Sequence, residues 1–133
     1  MPGILVATHS NAQHICPVTR NLTDEQIDAI GESNGLIGVT YSINPNMVTK
    51  DGGNNEAASL SNITEHIHYI AGRIGMDHVA LGSDFDGTRV PRALKDVTGV
   101  PKLLDLLKKE GLNSEDIVKI AYKNWLRVLK ETW

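Results

Sequence analysis

Three short apolar runs alternate with stretches of helical periodicity, and this alternation limits the possible folds more than any other feature of the chain. The runs lie at residues 4–8, 36–41 and 78–82, and their lengths are typical of buried strands. Because a helical pattern follows each run, the strands must pair in parallel through right-handed crossovers. The sequence therefore predicts an α/β fold of order βαβαβαα, in a single domain over residues 1–133.

Local signals mark where the helices begin and end. Thr23 and Gln26 have the spacing of a capping box, which predicts a helix start. Asn and Gly at residues 34–35 suit a left-handed stop for that helix, and Gly75 ends the next one. An Asn- and Gly-rich stretch at residues 44–59 predicts a long loop before the second helix. The apolar positions of the second helix recur every three or four residues: Leu60, Ile63, Ile67, Ile70 and Ile74.

Two more helices are predicted after the third strand. Pro101 suits the first turn of a helix that Gly111 ends, and Asn113 can cap the last helix. A parallel sheet of only three strands has two open edges and little cover. We therefore expect the chain to associate as a homo-oligomer, a dimer or larger.

Composition and charge argue against several classes of function. The formal net charge of the 133 residues is −3, which gives no reason to expect a nucleic acid or an anionic membrane as partner. No apolar stretch approaches the roughly 20 residues of a membrane span. Cys16 is the single cysteine, so no internal disulfide can form, and we expect a cytoplasmic protein. A lone thiol can be a nucleophile, but without a partner residue an inert role is favoured for Cys16.

A histidine and a pair of carboxylates follow two of the predicted strands. His9 comes directly after the first apolar run, where a neutral imidazole can bind a metal or accept a proton. Asp84 and Asp86 follow the third run, where one carboxylate can take a proton from an attacking water and the other can hold the loop or a cation. Ligands of α/β proteins collect at this end of the strands. The alternatives are a structural histidine and an Asp/Gly turn.

The stretch from Asp84 to Thr88 also resembles the Asp-x-Asp-Gly-Thr nucleophile motif of haloacid-dehalogenase-type phosphatases. Those enzymes carry the motif on an early strand and need later groups to hold phosphate and magnesium. Fewer than 50 residues follow Thr88, and all of them have helical patterns. A phosphatase fragment is therefore the least favoured interpretation.

Other polar residues carry weaker indications of function. Arg20 precedes the capped helix, where a guanidinium can bind a substrate carboxylate through two parallel hydrogen bonds. His66 and His68 are two apart on a helix, so they point to different faces and cannot chelate one ion together. We interpret both histidines as structural. Asn124 and Arg127 lie in the last helix, and we interpret them as ties between that helix and the sheet.

Several segments of the chain, taken together, match the sequence pattern of one protein family. They include Ala-Thr-His-Ser-Asn-Ala at residues 7–12, Arg-Asn-Leu-Thr-Asp at 20–24, Asp-His-Val at 77–79, Gly-Ser-Asp-Phe-Asp-Gly at 82–87 and Asn-Trp-Leu-Arg-Val at 124–128. In this order and spacing they resemble the membrane (renal) dipeptidase family of zinc peptidases, over nearly the whole chain. Together with the other segments, the block at residues 82–87 is highly specific for that family, and it argues against the phosphatase interpretation.

The resemblance implies a (β/α)8 TIM barrel with a binuclear zinc site at the carboxyl ends of its strands. This chain would correspond to about the last three βα units plus the C-terminal helices. By the resemblance, His9 is a ligand of one zinc, Arg20 binds the terminal carboxylate of a dipeptide, and Asp84 handles the proton of the metal-bridging water. Asp86 and Asn11 would support the site. The family cleaves dipeptides and tolerates D-residues at the C-terminal position.

The resemblance also implies that part of the site is missing. The family's His-x-Asp pair, its bridging glutamate and a further zinc histidine have no counterpart in this sequence. One imidazole cannot hold two zinc ions, so we expect little or no activity from the chain alone. Two hypotheses follow. Either the chain is the C-terminal part of a zinc dipeptidase that needs the rest of the barrel, or it is a non-catalytic, self-associating remnant.

Overall fold

The centre of the molecule is a parallel sheet of three strands in the order β1-β2-β3, seen in a computed structural model that describes residues 3–50 and 56–133. The strands are β1 (Val6–Ala7), β2 (Leu36–Val39) and β3 (Val79–Leu81). Both strand pairs are parallel, as the alternation of strands and helices predicted.

Five α-helical segments connect or follow the strands within the described ranges, in the predicted order. The last helix predicted after Asn113 is confirmed, since Asn113 Oδ1 accepts from the Asp116 N–H at 2.9 Å, and a π-helical turn at Lys119–Lys123 lies between its two α-helical parts. The helices are α1 (Asp24–Glu32), α2 (Leu60–Ile74), α3 (Val100–Lys109), α4 (Ser114–Val118) and α5 (Asn124–Thr132).

All three strands are shorter than the apolar runs that predicted them. β1 keeps two of the five residues at 4–8, because the chain bends at Thr8 and His9. β2 ends at Val39, and β3 begins only after a 3-10 turn at Met76–His78. Apolar side chains continue beyond the hydrogen-bonded ladder at β1 and β2, and the third run ends in His78 and Gly82 outside β3, so the runs overestimate the length of the strands.

Helix signals that depend on local hydrogen bonds are confirmed. The Gln26 N–H donates to Thr23 Oγ1 at 3.2 Å, and the Thr23 N–H donates to Gln26 Oε1 at 2.9 Å. After α1, Asn34 takes the left-handed conformation at φ 61°. Gly35 follows it against the Leu5 carbonyl, with no space for a side chain. The chain can therefore turn directly from α1 into β2.

A long loop was predicted at residues 44–59, between β2 and α2. Residues 51–55 lie outside the described residues, and residues 44–50 and 56–59 contain no helix or strand, only isolated bridges and turns. The Ser59 hydroxyl caps α2 by accepting from the Ser61 N–H at 3.2 Å. Over the part of the chain that the structure describes, no helix has the length and apolar character needed to cross a bilayer.

The main core lies between one face of the sheet and helices α1, α2 and α3. Ile37, Val39 and Val79 supply the sheet side of this core and are fully buried. Burial of an aliphatic side chain of this size contributes roughly 1.5–3 kcal/mol. The helices contribute Ile27, Ile30, Ile63, Ile67, Ile70, Leu103 and Leu107.

Helix α5 covers the opposite face of the sheet and is tied to it by side-chain hydrogen bonds. Asn124 Nδ2 donates to the carbonyls of Met76 and Val79 at 2.7 and 2.9 Å. The Arg127 guanidinium donates to three main-chain carbonyls in the turns before β2 and β3. The prediction that these two residues tie the last helix to the sheet is confirmed.

At the carboxyl end of the sheet, three backbone segments approach one another closely. The Thr8 carbonyl lies against both Gly38 of β2 and Gly82 after β3, and a Cβ atom at either glycine would collide with it. The Ser10 N–H donates to Gly38 O, and the Gly82 N–H donates to Val39 O, both at 2.9 Å. The segments that follow β1 and β3 therefore lie side by side.

This close approach predicts opposite effects for two glycine-to-alanine changes. Gly82→Ala is expected to lower the free energy of unfolding by about 2–3 kcal/mol, because main-chain atoms must move. Gly72→Ala, in α2 with no atom within 4 Å of the added methyl, is expected to raise it by about 0.5–1 kcal/mol. Urea denaturation of both variants measures the difference. Equal effects of the two changes would contradict the packing described here.

Candidate active site

His9 lies at the bend that follows β1 and is exposed to solvent. Its Nδ1 is 2.7 Å from the Thr8 hydroxyl, a contact in which the hydroxyl can donate to an unprotonated nitrogen. Its Nε2 has no hydrogen bond to any described residue. The structure therefore places His9 with one ring nitrogen available at the carboxyl end of the sheet.

Asp84 begins the loop after β3 and is half-buried there. Its backbone is left-handed, at φ 72°, and its carbonyl accepts from the Gly87 N–H at 3.1 Å. A Cβ atom at Gly87 would lie 2.6 Å from Asp84 Oδ1. The absence of a side chain at Gly87 therefore leaves the space that the Asp84 carboxylate occupies.

Asp86 lies in the same loop, two residues after Asp84, and its supporting role stays a prediction. It is exposed, at φ 66°, and makes no hydrogen bond to another residue in the described ranges. The loop is held by Thr88, whose Oγ1 is 2.7 Å from Asn44 O and 2.7 Å from Ser42 Oγ. The Asp86 side chain faces water, and the threonine anchors the loop to the end of β2.

Arg20 lies in the loop that joins β1 to α1. Its side chain is exposed and forms no hydrogen bond or ion pair with the residues that the structure describes. Its neighbour Asn21 is buried, with 2% of its surface exposed. The free guanidinium of Arg20 thus lies next to an anchored position in the chain, because Arg20 directly precedes the buried Asn21.

Asn11 is fully buried and joins the loop after β1 to the end of β2. Its Nδ2 donates to Thr40 O at 3.1 Å and to Met47 O at 2.9 Å, and its Oδ1 accepts from the Thr40 N–H at 2.9 Å. Through these bonds Asn11 fixes the backbone two residues after His9, and in this way it can support the site.

His66 is buried in α2 with both ring nitrogens hydrogen-bonded. Its Nδ1 accepts from the Ala12 N–H at 3.2 Å, and its Nε2 donates to Val48 O at 2.8 Å. Burial lowers the pKa of His66 to about 4, so the neutral ring that this pairing requires is favoured. His68 contacts Glu110 at 3.1 Å on the surface. The prediction that both histidines are structural agrees with these contacts.

Cys16 is buried, and its sulfur lies 3.7 Å from Asn46 O. Burial raises the pKa of the Cys16 thiol, which disfavours the reactive thiolate. The inert role favoured for this residue agrees with that environment.

The structure brings the segments of His9 and Asp84 together through the Thr8 contacts with Gly38 and Gly82. Arg20 is connected to this end of the sheet only through its neighbour Asn21, whose Oδ1 accepts from the Asn11 N–H at 3.1 Å, and no contact among the described residues joins Arg20 to His9 or Asp84. A cavity of about 240 Å³ lies beside the Asp84 loop. Its lining residues are Phe85, Asp86, Thr88, Val90, Lys95, Asp96 and Val97.

Sequence reasoning missed the residues that hold the site loops in place. Asn21, Ser42 and Thr88 act through hydrogen bonds to residues distant in sequence, such as the 46-residue separation of Ser42 and Thr88. The sequence carries one signal for them: small polar residues at the ends of apolar runs. That signal does not identify their partners.

The described residues do not by themselves fit a metal centre. No group of three or more His, Cys, Asp or Glu side chains comes together anywhere in the described ranges. Metal sites need several such ligands with fixed geometry. His9 supplies one imidazole, so any metal that it binds must take further ligands from elsewhere.

The three-stranded parallel sheet with helices packed on it is an α/β arrangement consistent with part of a barrel. The model of the membrane dipeptidase family (Peptidase family M19) matches residues 4–133, and the chain belongs to this family. The resemblance inferred from the sequence is confirmed. The family is one of metallopeptidases.

Known proteins similar to the chain agree with this assignment. An uncharacterized protein in the pqqA 5' region of Klebsiella pneumoniae is 46% identical over 129 residues, which cover 97% of this chain and 47% of that protein. Dipeptidase aclJ of Aspergillus oryzae is 37% identical over 124 residues, covering 92% and 28%. The chain therefore spans about half or less of the length of these relatives.

A solved structure gives the same fold. The metallo peptidase of Rhodobacter sphaeroides, liganded with a phosphinate mimic of the dipeptide L-Ala-D-Ala, superposes with a TM-score of 0.94 at 37% identity. The superposition covers 98% of this chain and 37% of that one. The α/β arrangement of this chain is thus the arrangement found in part of that metallo peptidase.

The burial of His66 predicts a specific dependence of stability on pH. Its pKa is about 4 in the folded chain and 6.5 when unfolded, so the unfolded state binds the proton first. The His66 contribution is full above pH 6.5 and is lost as pH falls toward 4, on the order of 3 kcal/mol. Urea denaturation from pH 7.5 to 4 measures it.

His66→Gln serves as the non-titrating comparison. The variant is expected to be less stable at pH 7 and to lose less stability than the parent between pH 6.5 and 4. His68→Gln, at a partly exposed position, is the control for loss of a histidine. Parallel pH curves for the parent and His66→Gln would contradict the prediction.

Proposed function

We propose that this chain forms part of a zinc-dependent dipeptidase and that the reaction is hydrolysis of a dipeptide. Membership of the M19 family and the similarity to named dipeptidases support the proposal. The observation that carries it is the contact of the Thr8 carbonyl with Gly38 and Gly82, which puts the His9 and Asp84 segments side by side. A site formed by both segments requires that contact.

Arg20 is proposed to bind the terminal carboxylate of the dipeptide. The side chain is exposed and has no partner among the described residues, so its five N–H donors are available. A guanidinium matches a carboxylate through two parallel hydrogen bonds. A dipeptide always carries such a carboxylate one residue from the scissile bond, so this contact would select for dipeptides over longer chains.

Asp84 is proposed to move the proton during hydrolysis. Water adds to the peptide carbonyl carbon, the C–N bond breaks, and the leaving amine takes up a proton. A carboxylate can accept the proton of the water and return it to the amine nitrogen. Asp84 is half-buried and has the space beside Gly87 for its carboxylate, which suits a fixed acceptor.

His9 is proposed as one zinc ligand, with its remaining partners supplied by polypeptide outside the described residues. Asn11 would hold the His9 segment through Thr40, and Asp86 would add negative charge to the loop of Asp84. The additional ligands would come from the rest of a barrel or from a second copy of the chain. The chain alone would then hydrolyse dipeptides poorly.

A non-catalytic, self-associating unit is the second candidate. The observation that favours it is the open edge at β1, where Leu5 and Val6 are 50% and 38% exposed. Unpaired strand edges with apolar side chains favour pairing between chains. This hypothesis predicts a stable oligomer that neither binds zinc nor cleaves dipeptides.

The test is hydrolysis of L-Ala-D-Ala by two proteins supplied with zinc. One is the chain itself, and the other is a chimera in which residues 4–133 replace the matching segment of the Rhodobacter sphaeroides peptidase. We expect the chimera to be active. A folded chimera that binds zinc but cleaves no dipeptide would contradict the proposal and favour the non-catalytic unit.

Asp84→Asn in the chimera is expected to lower kcat about 100-fold or more, because the amide cannot accept the proton. Asp105→Asn is the matched control, since Asp105 is an exposed residue of α3 without a hydrogen bond or ion pair to the described part of the chain. Steady-state kinetics measure both variants. Equal activity of the two would exclude Asp84 from the chemistry.

Arg20→Ala in the chimera is expected to raise KM about 10- to 100-fold with a smaller change in kcat, because a charge-assisted contact to substrate is lost. Arg20→Lys should fall between Ala and the parent. Arg92→Ala, at a side chain 77% exposed, is the control. A dipeptide amide, which lacks the carboxylate, should not distinguish Arg20→Ala from the parent; a difference there would contradict the assigned contact.

A further inference from the structure

Asn21 is a buried amide placed directly after the exposed Arg20. Its Oδ1 accepts from the Asn11 N–H at 3.1 Å, and its Nδ2 donates to Cys16 O and Met47 O, each at 3.0 Å. Both amide hydrogens and the carbonyl oxygen of the side chain are therefore used. These bonds close the loop on itself and fasten it to the segment after β2.

The Met47 carbonyl is the common point of this network. It accepts from Asn21 Nδ2 at 3.0 Å and from Asn11 Nδ2 at 2.9 Å. The two asparagines lie ten residues apart, at the two ends of the loop between β1 and α1. A single main-chain oxygen thus fixes both ends of the loop against the same neighbouring segment.

His66 holds the same two loops from the side of helix α2. It accepts from the Ala12 N–H and donates to Val48 O, next in the chain to Asn11 and Met47 respectively. All three side chains, Asn11, Asn21 and His66, are 0–2% exposed. The loop contains no helix or strand, and these side chains order its backbone together with a few main-chain hydrogen bonds such as Leu22 N–H to Asn11 O.

Order in this backbone matters for an arginine that must grip a ligand. A long side chain loses rotamer freedom on binding, and the loss is smaller when its Cα is already fixed in place. Arg20 is adjacent to Asn21, whereas the other two network residues lie further away in sequence. The geometry points to Asn21 as the residue that fixes Arg20.

We propose that Asn21 is a positioning residue for Arg20, which acts on substrate binding only through the guanidinium next to it. This inference rests on the proposed function, in which Arg20 binds the dipeptide carboxylate. It goes further because it names the residue that holds Arg20 in position for that contact.

A matched control separates this role from a contribution to stability alone. Asn124 is also buried, and its Nδ2 also donates to two main-chain carbonyls, those of Met76 and Val79, at the opposite end of β3. Asn21→Ala and Asn124→Ala are both expected to lower Tm. Only Asn21→Ala is expected to raise KM, by about 10-fold, with kcat nearly unchanged.

A double-mutant cycle in the chimera tests whether Asn21 acts through Arg20. Asn21→Ala should raise KM in the parent and leave it unchanged when Arg20→Ala is already present. An equal KM increase in both backgrounds would overturn the inference. If Arg20→Ala alone leaves KM unchanged, the proposed contact of Arg20 with substrate fails, and this outcome is distinct from the failure of the Asn21 role.

Amide hydrogen exchange on the full chain tests the positioning without any assay of activity. Asn21→Ala should speed exchange of the Leu22 and Gln13 amides, which donate to Asn11 O and Leu22 O, about 10-fold more than Asn124→Ala does. Unchanged protection at these amides would overturn the inference. Asn21→Asp, which keeps the acceptor and loses both donors to Cys16 and Met47, should reproduce the effect of alanine.

Discussion

The close contact of the Thr8 carbonyl with Gly38 and Gly82 determines the arrangement of the functional end of this molecule. A side chain at either glycine would force the ends of the strands apart, and the segments carrying His9 and Asp84 would then separate. The contact has no substitute in side-chain packing, because it is made by main-chain atoms. Since these glycines do not need unusual backbone angles, their role here is to allow close approach.

The loops around that contact are ordered by buried polar groups, whose desolvation is favourable only when hydrogen bonds replace water. Asn11, Asn21 and His66 meet this condition with main-chain partners. Tyr41 does not: its hydroxyl is buried with no partner in the described part of the chain, and burial raises its pKa. The bonds of Asn11, Asn21 and His66 join the loop between β1 and α1, which carries Arg20, to the segment after β2.

Features of the structure that depend on residues close in sequence were predicted well, and features that depend on distant residues were not. The α1 start at Thr23 and the left-handed turn at Asn34 depend on residues a few positions apart, and both were predicted correctly. Strand ends were overestimated because apolar residues continue past the ladder. The π turn at Lys119–Lys123 and the anchoring of Asn21 by Met47 had no local signal. The anchoring of the Asp84 loop by Thr88 was not predicted either, since charge at a strand end does not reveal which side chain turns inward.

The distribution of chemical groups in the chain explains why family and activity are separate questions here. In the proposed function, Arg20 would bind an anion, Asp84 would move a proton and His9 would supply one imidazole to a metal. Metal affinity depends on the number of ligands that converge, and the described residues provide no cluster of three. Relatives of which the chain covers 47% or 28% contain further polypeptide that can provide them. The backbone beside Arg20 and at Asp84 is held by contacts within this chain, so in the proposed function the metal site would be completed by adding ligands to loops that are already ordered.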